Sequence, residues 1–189
     1  MQTLAIIGSQ GGLATALHKK FSEEYIVECF GKEQYNLTDV NDIDKLSEKI
    51  SKFDVIINCA GVLNQDSWNT FIINAVAPAR LIEQLTKHNS NAHLVLVGSH
   101  SSTWTSWPEI SLERLWYNVS KETLESLVLG TNHSRGTKLK FTVFNPSRFQ
   151  TPMRNFSGYS ADIMVSAIEH IITTVPPPLI YELGSPDDI

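Results

Sequence analysis

The sequence predicts an α/β protein, a doubly wound parallel sheet in three α/β/α layers. Three observations lead there. Short apolar runs alternate with helix-length amphipathic stretches along the whole chain. A glycine-rich turn, Gly8-Ser9-Gln10-Gly11-Gly12, follows the first apolar run. Gly8, Asn58, Ser99 and Pro146 each stand just after such a run, at the edge where open α/β sheets bind ligands.

The first strand is expected at residues 4–7, and the first helix at 13–21, apolar at three-to-four spacing. Strands follow at 26–30, 55–57, 94–97 and 141–144, with a weaker one at 179–181. Helices are expected at 43–50, 71–85, 115–129 and 161–172. Continuously apolar strands read as buried on both faces, and right-handed crossovers place helices on both sides. Pro176-Pro177-Pro178 ends the last helix and admits a final strand. No repeat or linker divides the chain, so residues 1–189 are expected to form one domain.

Composition narrows the function classes. A hydrophobic share of 42% and a charged share of 19% are those of an ordinary globular protein. A net charge of −5 argues against a nucleic-acid partner. No run approaches the roughly 20 apolar residues of a membrane span, and no signal sequence is evident, so a cytoplasmic location is expected. Cys29 and Cys59 read as reduced thiols, and the six histidines show no metal-ligand spacing. His100 beside Ser99 does not make a hydrolase, because neither a nucleophile elbow nor a triad order is present.

The chemistry concentrates at Tyr117-Asn-Val-Ser-Lys121. On a helix, residues four apart share a face, so phenol and ammonium point into one space. A fixed cation favours phenolate and lowers a tyrosine pKa from about 10 toward neutrality. Such a phenol can act as general acid and base. The glycine loop suits a pyrophosphate, since glycines allow a tight turn and close approach of backbone N–H groups. No Lys-Ser/Thr follows it, which disfavours a nucleoside-triphosphate loop.

Taken in order, these motifs resemble the short-chain dehydrogenase/reductase family over about residues 3 to 175, within the Rossmann-like fold class. Gly8, Gly11 and Gly12 match the family's phosphate loop, with Ser9, Gln10 and Leu13 alongside and Ala14 at the usual third glycine. Asn36-Leu37-Thr38-Asp39 is similar to the segment that meets the adenine, with Asn36 in place of an aspartate. Asn58-Cys59-Ala60-Gly61 is similar to the Asn-Asn-Ala-Gly motif beside the cofactor ribose. Asn74 matches the helix asparagine of the proton relay. Pro146-Ser147-Arg148-Phe149-Gln150-Thr151 resembles the segment whose threonine contacts the nicotinamide carboxamide.

The resemblance implies an NAD(P)-dependent oxidoreductase interconverting a carbonyl and an alcohol of a small molecule. Tyr117 would be the proton donor, Lys121 its partner and ribose ligand, and Ser99 the hydrogen-bond donor to the reacting oxygen. Ser101 is the runner-up for that serine. Gly31 stands where NAD-selecting enzymes place an acid, and Lys32 follows, so NADP is favoured over NAD. Glu28 falls mid-strand, and Glu33 could still meet a ribose diol. The 18-position interval from Ser99 to Tyr117 holds Trp104, Trp107 and Pro108, which either wall a substrate pocket or cover the core.

The chain is short against this family. Only 12 residues separate Gly61 from Asn74, few follow Met153 before the last helix, and a full strand after the second one is in doubt. A second reading is therefore a non-catalytic NAD(P)-binding sensor or interaction protein on the same scaffold. Family members pair through the helices carrying Asn74 and Tyr117, which implies a homo-oligomer.

Overall fold

The computed structural model describes residues 1–63, 66–100, 111–132, 137–146 and 159–183, with only the main chain at 112 and 113. Six strands, Thr3–Ile7 (β1), Ile26–Phe30 (β2), Val55–Asn58 (β3), His93–Val97 (β4), Lys140–Asn145 (β5) and Ile180–Glu182 (β6), form one sheet. Their order is β2-β1-β3-β4-β5-β6, and every neighbouring pair is parallel. The expected parallel, three-layered arrangement is therefore observed. The helices are Gly12–Phe21 (α1), Val40–Ile50 (α2), Ser67–Phe71 (α3), Ala77–Lys87 (α4), Leu112–Asn132 (α5) and Ala161–Thr173 (α6).

Strand periodicity assigns the two layers. Ala5, Ile7, Ile56, Leu94, Leu96, Phe141 and Val143 pack with apolar residues of α2, α4 and α5. Leu4, Ile6, Val55, Ile57, Val95 and Phe144 pack instead with α1 and α6, through Leu13, Leu17, Phe21, Met164 and Ile168. Alternate residues of a strand face opposite ways, so runs without polar breaks are what a doubly covered sheet needs.

One departure from expectation matters for the site. The helix expected at residues 71–85 comes in three pieces, because a π-helical turn, Ile72–Val76, joins α3 to α4. Pro78 explains part of this, since it lacks the N–H that would close an α-type bond to the Asn74 carbonyl. Residues 31–39, where a full strand was in doubt, contain turns but neither helix nor strand, so β2 is the sheet's edge. Within that stretch Asn36 Oδ1 accepts from the Thr38 N–H and hydroxyl, at 3.1 and 2.9 Å. Asp39 then caps α2 by accepting from the Asn41 N–H at 2.8 Å. Leu37 packs on the α2/α4/α5 side of the core.

Near the amino ends of the strands, His93 is buried and its Nε2 lies 2.9 Å from Thr142 Oγ1. The threonine hydroxyl donates its one proton to Pro178 O at 2.5 Å, so Nε2–H of His93 is the donor to Thr142. Burial, helped by the Lys140 charge, pulls the His93 pKa down to about 4.

Candidate active site

The carboxyl ends of β1 and β3 are brought together by glycine. Gly8 has φ +83°, and a Cβ there would stand 2.7 Å from Ala60 N. Only glycine accepts both the turn and that approach. The Gly8 and Ser9 N–H groups donate to Phe30 O at 2.9 and 3.3 Å, and the Gly11 N–H to Gly8 O at 3.0 Å. Gly11 occupies the N-cap of α1 in extended conformation, and buried Leu13 anchors the first turn. A Cβ on Gly31 would come within 2.8 Å of Ser9 Oγ, so β2 ends close to the loop as well. Gln10 and Lys32 are exposed. Glu28, mid-strand in β2, is ion-paired to Lys49 at 2.9 Å.

Asn58 ends β3 buried, with Oδ1 accepting from the Ala60 N–H at 3.1 Å. Cys59 N–H donates to Ile7 O at 2.9 Å, which ties this turn to β1. Burial raises the Cys59 thiol pKa to about 12, so it stays protonated at neutral pH. A Cβ on Gly61 would meet Lys121 Nζ at 2.9 Å. The glycine thus leaves room for the lysine head group.

Asn74 lies in the π-helical turn and is almost wholly buried. Its Oδ1 accepts from the Val62 N–H at 2.8 Å, while Nδ2 donates to Val62 O at 2.9 Å and to Ser120 Oγ at 3.1 Å. The amide is engaged in this clamp, which straps the chain after Gly61 to α5. Ser120 in turn donates to Tyr117 O at 2.7 Å. A π turn at such a place is often functional.

Lys121 is 4% exposed, and its Nζ donates to Val97 O at 2.7 Å. It also lies 6.0 Å from the centroid of the partly buried Tyr117 ring. The i,i+4 spacing therefore brings phenol and ammonium into one space. Burial lowers the Lys121 pKa to about 8, with a small opposing influence from Cys59. Phe71 packs edge-on against Trp116 with centroids 5.9 Å apart, joining α3 to α5 beside the tyrosine.

Ser99 follows β4 at the same rim, its N–H donating to Asn145 Oδ1 at 3.1 Å. Asn145 Nδ2 donates to Glu125 Oε1 at 2.6 Å. Sequence reasoning passed over Ser120, Glu125 and Asn145. Signals existed for the last two: Glu125 repeats the four-residue step from Tyr117 and Lys121, and Asn145 is a polar end to an apolar strand. Pro146 is buried and accepts from the His100 N–H at 3.1 Å. Ser101, Trp104, Trp107, Pro108, Ser147, Arg148, Phe149, Gln150, Thr151 and Met153 lie outside the described residues. Among the described residues no cluster of His, Cys, Asp and Glu could hold a metal, and no helix is long and apolar enough to cross a membrane.

No protein-family model matches the sequence, and no curated protein is similar to it in sequence. Solved structures do match in three dimensions. The 3-alpha-hydroxysteroid dehydrogenase from Pseudomonas sp. B-0831, complexed with NADH, superposes with TM-score 0.80 at 17% identity, over 96% of this chain and 94% of that one. A short-chain dehydrogenase from Burkholderia cenocepacia, in complex with NADP, gives 0.79 at 15% identity, over 98% and 90%. The dTDP-4-dehydrorhamnose reductase from Bacillus anthracis, also with NADP, gives 0.76 at 17%, over 97% and 74%. The chain has the Rossmann-like α/β fold of the short-chain dehydrogenases and reductases.

Proposed function

We propose that this protein is an NAD(P)-dependent short-chain dehydrogenase/reductase that interconverts a carbonyl and an alcohol, with Tyr117 as general acid and base. The observation that carries the reading is the buried Lys121 head group, 6.0 Å from the Tyr117 ring at the rim where the glycine loop also ends. A nicotinamide dinucleotide fits the residues present, because Gly11 stands at the N-cap of α1 with no side chain capping the first turn, which leaves its N–H groups to an anion. Gly8, Ser9, Gln10, Gly11, Gly12 and Leu13 would hold its pyrophosphate, and Asn36, Leu37, Asn58, Ala60 and Gly61 its adenosine and ribose side. When bound, such a cofactor supplies or accepts the hydride.

The chain's own residues handle the proton. Tyr117 gives its phenolic proton to the substrate oxygen in reduction and takes it back in oxidation. Lys121, as a cation, favours the phenolate that reduction leaves. Ser99 donates a hydrogen bond to the reacting oxygen, a contribution of roughly 3 kcal/mol by analogy with oxyanion sites. Asn74 has its amide occupied, so a proton relay to solvent would use its main-chain carbonyl, which Pro78 deprives of an α-type donor.

We further propose NADP over NAD, since exposed Lys32 beside Gly31 suits a 2′-phosphate better than a diol. NADH and NADP both occur among the structural neighbours. A homo-oligomer accords with the apolar surface of α3, the π turn and α5, where Trp68, Val76, Leu115, Trp116 and Val119 are exposed. The test is NADPH oxidation with a panel of aldehydes, ketones and quinones, for wild type and Tyr117→Phe. Turnover by wild type alone supports the enzyme. Equal rates in both remove Tyr117 from the chemistry, and tight NADPH binding without any turnover turns the reading to a cofactor-binding sensor.

A further inference from the structure

Tyr117, Lys121 and Glu125 recur every four residues and form one stripe along α5. The chain at the end of β4 is held at three consecutive residues, one directly by this stripe, one by β5 and one through Asn145. Lys121 Nζ donates to Val97 O at 2.7 Å. The Gly98 N–H donates to Phe144 O at 2.7 Å. The Ser99 N–H donates to Asn145 Oδ1 at 3.1 Å, and Asn145 Nδ2 donates to Glu125 Oε1 at 2.6 Å. Asn145 is fully buried. A Cβ on Gly98 would collide with Asn145 Oδ1 and come within 2.9 Å of Val143 Cγ1, so the amide fills the space that glycine leaves.

The chemistry of these groups makes the chain directional. An asparagine amide is nearly symmetric in shape, and turned by half a revolution it would present NH₂ to the Ser99 N–H. Two donors would then face each other and the bond would be lost. An ionised carboxylate only accepts, so Glu125 selects the orientation that draws Nδ2 to itself and offers Oδ1 to Ser99. A charge-assisted bond of this kind is about twice as strong as a neutral one, enough to decide between two otherwise similar rotamers.

We infer that Glu125 is a positioning residue: acting through Asn145, it fixes the main chain at Ser99 and so aims the hydroxyl that meets the substrate oxygen. The inference rests on the proposed oxidoreductase reading and on Ser99 as the donor. The experiment compares Glu125→Ala and Glu125→Gln in the wild-type and Ser99→Ala backgrounds. It uses NADPH and whichever carbonyl compound of the panel the wild type reduces best. Exchange of the Ser99 amide is followed in parallel by NMR on the whole chain.

Glu125→Ala should lower kcat about 10- to 100-fold with NADPH affinity within about twofold, whereas Glu125→Gln, which can turn its amide oxygen to Asn145, should keep most of the rate. In the Ser99→Ala background the same change should cost less than about threefold, because the two residues act as one unit. The Ser99 amide should exchange at least about tenfold faster in Glu125→Ala, with the β4 interior amides unchanged. An undiminished loss in the Ser99→Ala background, or unaltered Ser99 exchange, overturns the inference. Absence of turnover by wild type counts against the oxidoreductase reading, and the exchange measurement then decides the clamp by itself. Should Glu125→Ala fail to fold, Glu125→Met keeps the volume while removing the acceptor.

Discussion

Near the amino ends of β4 and β5, His93 is buried against Thr142; at their carboxyl ends, Lys121 is buried beside Tyr117. Both bases have depressed pKa values and in both the main cause is loss of solvation, yet they settle at about 4 and about 8. At neutral pH the histidine is therefore uncharged and spends its N–H on a threonine. The lysine stays largely cationic within reach of a phenol. Burial alone does not mark a reactive group. What separates the two is a charge state still open to change near pH 7 and a tyrosine ring beside it.

The sharpest way to break this contrast is Tyr117→Phe. It should lower carbonyl reduction by about 100- to 10,000-fold, the usual share of a general acid, while NADPH affinity stays within about twofold. Initial rates and a cofactor titration check it. Lys121→Met should likewise abolish most turnover but make the protein more stable. The sign follows from linkage. The folded pKa of about 8 lies below the ordinary 10.5, so between these values the unfolded chain binds more protons, and wild-type stability rises with pH. At pH 7 the buried cation costs up to about 3 kcal/mol, less whatever the bond to Val97 O returns. Denaturant unfolding at pH 7.5 and 10 should show a slope in wild type that the variant lacks.

His93 gives the matching test at the other end. Its folded pKa of about 4 lies below the ordinary 6.5, so stability is full above pH 6.5 and falls as the pH drops toward 4. The expected loss is up to about 3 kcal/mol, and His93→Gln should flatten that limb of the curve. The smallest effect is expected from Gly8→Ala. Its positive φ and the 2.7 Å approach to Ala60 should cost about 1–3 kcal/mol and weaken dinucleotide binding. A thermal melt and a cofactor titration suffice.

The parts of the molecule that could be read from sequence are those whose physics is local. Strands buried on both faces need unbroken apolar runs, and Ile56, Ile57, Leu94 and Val95 provide them. Tyr117 and Lys121 meet because a helix brings i and i+4 together. Gly8 was visible as a turn residue for the same reason. What stayed hidden depends on contacts across the chain. Asn145 reaches Glu125 over 20 positions and Ser99 over 46, and no spacing rule announces such pairs. The clamp between the Asn74 amide and Val62 is of the same kind, since only the folded turn brings the two near. The π turn was equally illegible, because residues 71–85 satisfy helical periodicity whether or not one turn is widened.

That widened turn has a consequence for the phase of the helix around it. Each residue advances an α-helix by about 100°, so a turn holding an additional residue offsets everything before it from everything after it. Downstream, Leu81 and Leu85 lie buried against the sheet, upstream Phe71 meets Trp116, and within the turn Asn74 meets Val62. Removing one residue between Ile72 and Val76 would restore a regular spiral and swing the Trp68–Phe71 segment out of step with α5. The irregularity acts as a phase adjuster, letting the three-part helical run serve the hydrophobic layer with one end and α5 with the other.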